Sequence, residues 1–92
     1  MKRVVVRVRG ELDLPGVPLL RILKSEAVKN NVVGEAKLLG DTLYAVLEGP
    51  REGVDRVLKF IPMASPAVKI REMEVREEKY TGQYRDFKIA PS

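Results

Sequence analysis

Residues 3–9 read RVVVRVR. Side chains alternate across a strand, so Val4, Val6 and Val8 fall on one face and Arg3, Val5, Arg7 and Arg9 on the other. The three-valine stripe must be covered by apolar side chains, while the arginine face stays in water. That demands a half-buried sheet with a layer packed on one side. Ninety-two residues suffice for one such core but not for two, so a single domain over 1–92 is expected.

The rest of the chain supplies that layer. Gly10 reads as the end of the first strand. Pro18 suits a first helical position, where a missing N–H costs nothing. LLRILKSEAVKN (19–30) then places Leu20, Leu23 and Ala27 at helical spacing, with Arg21, Lys24 and Glu26 solvated. Asn30 and Asn31 stop this helix. Residues 32–48 read as a hairpin turning at Gly40-Asp41. Gly49-Pro50 breaks the hairpin's second strand, and REGVDRVLKFI (51–61) puts Val54, Val57, Leu58 and Ile61 on one helical stripe. Residues 62–66 form a loop. VKIREMEVRE (68–77) reads as a strand with Met73 and Val75 on one face and Glu72, Glu74 and Arg76 on the other. TGQY turns the chain and DFKI makes a short last strand. The order β-α-β-β-α-β, with that extra strand, predicts an α+β ferredoxin-like sandwich: one antiparallel sheet with two helices on one face.

Composition narrows the chemistry. The chain has neither cysteine nor histidine, which excludes thiolate nucleophiles, zinc–sulfur sites and histidine-based triads. Chemistry must rest on charged side chains, Asn, Tyr, Ser and backbone groups, and no cofactor or metal is implied. Two Asn and one Gln beside many Lys, Arg and Glu make a composition met in heat-adapted proteins. With no apolar run near 18 residues and no signal peptide, a cytoplasmic protein without a membrane span is expected. A net charge of +4 and pI near 9.6 are mildly basic.

Three stretches, VRVRG (6–10), AVLEGPREGVDRVLKFI (45–61) and VREEKYTGQYRDFKI (75–89), together resemble the acylphosphatase family, in order and on the matching elements. The resemblance spans almost the whole chain. It implies a ferredoxin-like enzyme hydrolysing acyl phosphates through a loop of the form Val-Gln-Gly-Val-x-Phe-Arg and an Asn on the second strand. The loop amides and arginine would hold the phosphate, and the asparagine would position water.

Here the Gly-Val falls on Gly16-Val17, the arginine column on Leu20 and the asparagine column on Leu38 or Lys37. The loop is two residues longer and carries Asp13, Leu14 and Pro15, while Pro18 removes an amide donor. Arg21 lies one position, about 100° of helix, past the arginine column. NNVVGEAKLLGDTLYAVLEGPREGVD (30–55) is also similar to flavin-binding blue-light sensor (BLUF) domains. There, however, Ala45 replaces a glutamine, and no tryptophan exists.

These departures favour an acylphosphatase-like domain with a diverged site, a non-catalytic module binding a small phosphate-bearing ligand or a protein partner. The alternative is a divergent acylphosphatase using Gly16 and Val17 amides with Arg21, and Lys37 for charge. A further alternative is nucleic-acid binding through Arg3, Arg7 and Arg9 on the open sheet face. On that face, Glu72 and Glu74 would lie beside the arginines, an arrangement that cross-strand ion pairs explain without a ligand.

Overall fold

The computed structural model describes residues 1–91. Strand β1 (Lys2–Glu11) is followed by α1 (Leu19–Lys29), β2 (Val33–Leu39), β3 (Thr42–Gly49), α2 (Arg51–Phe60), β4 (Lys69–Glu78) and β5 (Phe87–Ile89), with a 3-10 turn at Ile61–Met63. The sheet order is β4-β1-β3-β2-β5. Neighbours are antiparallel except β2 and β5, which run parallel. Both helices pack on the valine face, which gives the ferredoxin-like sandwich.

The alternation of β1 decides the layers. Val4, Val6 and Val8 are fully buried, and their register on β3 brings Leu47, Ala45 and Leu43 beside them. Leu23 and Ala27 of α1, and Val54 and Val57 of α2, close the core from above. The buried stripe of α1 is Leu19, Leu23 and Ala27. Leu20, read from spacing as a core position, is only half-buried beside it.

Gly10 does not end β1. The strand runs on to Glu11, with a register shift that pairs Gly10 with Ile70 and leaves Arg71 bulged. A Cβ at Gly10 would lie 2.0 Å from the Lys69 carbonyl oxygen, so this crossing requires glycine. Pro18 caps α1 rather than opening it, its carbonyl accepting from the Ile22 amide at 3.0 Å. Asn31, at φ +60, leaves the helix in the left-handed conformation. The Asn30 side chain folds back onto the Glu26 carbonyl at 2.8 Å. Both asparagines are therefore occupied with helix termination.

The last strand is placed by a clamp on the open face. Glu48 is completely buried although its strand position faces away from the helices. It accepts from Arg3 Nη1 at 2.9 Å, Thr81 Oγ1 at 2.7 Å, and the Thr81 and Gly82 amides at 3.1 and 3.2 Å. Burial pushes its carboxyl pKa up, but the bonds from Thr81 and Arg3 outweigh this and hold it below the ordinary value. With residues 81–82 fixed, the chain crosses to β2, and β5 pairs there.

Candidate active site at the start of α1

Leaving β1, the chain buries Leu12 and then turns at Leu14-Pro15-Gly16-Val17. The Val17 amide donates to the Leu14 carbonyl at 3.1 Å, and Gly16 has φ +78. Proline at the second position and a left-handed glycine at the third define a type II turn. The loop is thus closed on itself. Val17 was a candidate anion donor, but its amide is consumed by the turn, and the Leu19 amide is bonded to the Val17 carbonyl at 2.9 Å. The amides of Gly16, Leu20 and Arg21 have no backbone acceptor among the described residues. Two of them open α1, where the helix dipole favours an anion.

A cleft of about 300 Å³ adjoins this helix start. Val17 and Leu20 line one side, Leu38 of β2 and Ile89 of β5 another. Arg21 contributes a cation and Asp13 a carboxylate, and both side chains are exposed. The cleft therefore brings Arg21 and Val17 together, whereas Gly16, also a candidate, is not part of its lining.

Lys37 does not join them. It is paired with Tyr44 across β2 and β3, on the face opposite the helices, with its Nζ 5.7 Å from the Tyr44 ring centroid. Strand alternation sends Leu38 into the cleft and Lys37 away from it. Lys37, a candidate for the anion site, therefore lies outside this cleft. Tyr44, ambiguous in the sequence, is an open-face residue.

The arginines of β1 are committed elsewhere. Arg7 pairs with Glu74, Arg9 Nε lies 3.5 Å from Glu72, and Arg3 binds Glu48 and Glu78. Hydrogen bonding raises the guanidinium pKa of Arg3, through Glu48, and of Arg7, through Glu74. Each of these three arginines thus meets a carboxylate directly opposite or beside it, so none of them stands free to hold a phosphate backbone. Arg3, Arg7 and Arg9 are sheet-bracing residues. The contribution of Arg3 to the Glu48 clamp was not read from the sequence. The signal available was a glutamate in an otherwise apolar strand opposite an arginine of the first strand.

Two layers and a five-stranded mixed sheet with both helices on one face define the class, ferredoxin-like α+β proteins. Comparison with known proteins gives the family. The acylphosphatase family model matches residues 4–89. An acylphosphatase of Pyrobaculum aerophilum is 37% identical over 100% of this chain and 97% of its own length. The crystal structure of the Bacillus subtilis acylphosphatase superposes with a TM-score of 0.88 at 23% identity, covering 99% of this chain and all of that one. The chain belongs to the acylphosphatase family. A bacterial light-regulated adenylyl cyclase also superposes, with a TM-score of 0.73 at 19% identity over 98% of this chain and 27% of that one. This second likeness is one of fold alone.

These relatives correct one expectation from the sequence. Divergence of the loop favoured a non-catalytic binding module, yet curated relatives matching the full chain are acylphosphatases. The departures of the loop are variation within that family, not marks of a different class.

Proposed function

We propose that this protein hydrolyses acyl phosphates. The observation that carries the reading is 37% identity to a curated acylphosphatase over the whole chain. The geometry supports it, since Arg21 stands at the start of α1 beside amides without backbone acceptors. A phosphoryl group placed there meets the Leu20 and Arg21 N–H groups and the forked guanidinium.

Phosphoryl transfer needs positioning and charge stabilisation more than covalent help from the protein. Water attacks phosphorus, the bond from phosphorus to the acyl oxygen breaks, and a carboxylate leaves with inorganic phosphate as the other product. A carboxylate is a good leaving group, with a pKa of about 4, so it requires no general acid. A chain without histidine or cysteine is equipped for this reaction. Leu38 cannot orient water, so rate enhancement rests on the arginine and amides gripping the developing phosphoryl charge. The apolar walls strengthen that grip by lowering the local dielectric. We place the activity in the cytoplasm, where phosphoryl transfer generates such substrates.

Amide chemical shifts recorded during titration with inorganic phosphate test the site. The reading expects saturable shifts at Leu20 and Arg21 in the wild type, with the Leu20 shift vanishing in Arg21→Ala. Shifts confined to the open sheet face would sink it.

A further inference from the structure

On the reading above, the phosphoryl group lies against Arg21 and the first amides of α1. The same cleft is lined by the apolar side chains of Val17, Leu20, Leu38 and Ile89, with Asp13 as its carboxylate. Ile89, one of these lining residues, is 40% exposed. It is held in place because β5 pairs with β2 and the Ala90 amide donates to the Ala36 carbonyl at 2.8 Å. A volume of about 300 Å³ lies at the lower end for ligand pockets and exceeds what a phosphoryl group alone fills.

We infer that this cleft selects acyl phosphates whose acyl group is apolar and about ring-sized, with Leu38 and Ile89 as specificity-determining residues; the inference rests on the acyl-phosphate reading above. An apolar acyl group covers the exposed faces of Leu38 and Ile89 and releases the water on them. An acetyl group is too short to cover them. A carbamoyl group would bring N–H donors against a wall of hydrocarbon and lose their hydrogen bonds to water. An acyl group bearing its own carboxylate would meet Asp13 and be repelled. Several carbons' difference in an apolar pocket gives discrimination of about tenfold or more.

The test compares kcat/KM for benzoyl phosphate and acetyl phosphate, each normalised to its uncatalysed rate, in the wild type, Leu38→Asn and Ile89→Ser. Ile89 is exposed enough for its variant to keep the fold, which circular dichroism verifies. Calorimetric binding of phenylphosphonate against methylphosphonate gives a second readout that needs no turnover. The expected result is a wild-type preference for benzoyl phosphate of about tenfold or more. In both variants that ratio drops severalfold, whatever happens to the overall rate, and the phosphonates follow the same order. Turnover without preference, or a ratio unmoved by either variant, overturns the inference and leaves the hydrolase reading standing. Failure of both acyl phosphates to turn over overturns the two together.

Discussion

Arg3 Nη1 lies 2.9 Å from the Glu48 carboxylate, a charge with no exposed surface. The pair joins β1 to β3, and its remaining lone pairs take the Thr81 and Gly82 amides, so one buried carboxylate ties three parts of the chain. Removing one partner of such a pair strands the other. Glu48→Ala should destabilise the fold by about 3 kcal/mol or more, measured by urea denaturation. It should also loosen residues 79–86, read as faster amide exchange there. Glu48→Gln, which keeps the shape but not the charge, should fall between the variant and the wild type.

Acid should unfold the protein through the same class of group. Four carboxyls lie below their ordinary values: Glu48 for the reasons given above, Asp55 through Lys2, Glu74 through Arg7, and Glu78 through Arg3 and Arg76. A depressed carboxyl contributes stability that is full above its unfolded value and is lost as pH falls through its folded one. The denaturation midpoint should therefore hold steady from pH 7 down to about 5 and decline below about 4.5. A midpoint that rises on acidification would contradict these assignments.

Gly34 offers a sharper test of the hairpin. Its φ is +143, and a Cβ built there would sit 1.8 Å from the Val46 carbonyl oxygen. Backbone cannot yield as the end of a flexible side chain can. Gly34→Ala should cost about 3 kcal/mol or more, whereas Gly40→Ala, whose Cβ meets nothing within 4 Å, should cost about 1–2 kcal/mol from left-handed strain alone.

The open sheet face predicts a negative result. Arg7, half-buried, and Arg9, exposed, are matched to Glu74 and Glu72, so neither is available to a polyanion. Single-stranded oligonucleotides at low salt should show no saturable binding, and Arg7→Ala should leave that result unchanged while lowering the unfolding midpoint only slightly. Salt-sensitive binding abolished by Arg7→Ala would refute this account of the face.

Periodicity revealed most of the architecture. The valine stripe of β1, the Gly40-Asp41 turn and the stripe of α2 are local patterns, and local patterns survive into the fold. Gly10 misled because a glycine inside a strand looks like one that ends it. Only the approach of the Lys69 carbonyl oxygen, dozens of residues away in sequence, explains it. Lys37 misled for a related reason. Counting columns across a shortened turn left it interchangeable with Leu38, and a one-residue difference on a strand reverses the face. The closed turn at Pro15-Gly16 was written in the sequence as proline followed by glycine, and that reading would have shown Val17's amide already in use. Activity was the least legible feature, because the resemblance matched neither its loop arginine nor its strand asparagine, and Arg21 gains a setting only once the cleft is seen.

Release of inorganic phosphate from benzoyl phosphate, measured at elevated temperature for the wild type and Arg21→Ala, tests the central claim most directly. Hydrolysis well above the uncatalysed rate, reduced roughly 100-fold or more in the variant, is the result this account predicts. A wild-type rate equal to the uncatalysed one would contradict it, as would full activity without Arg21.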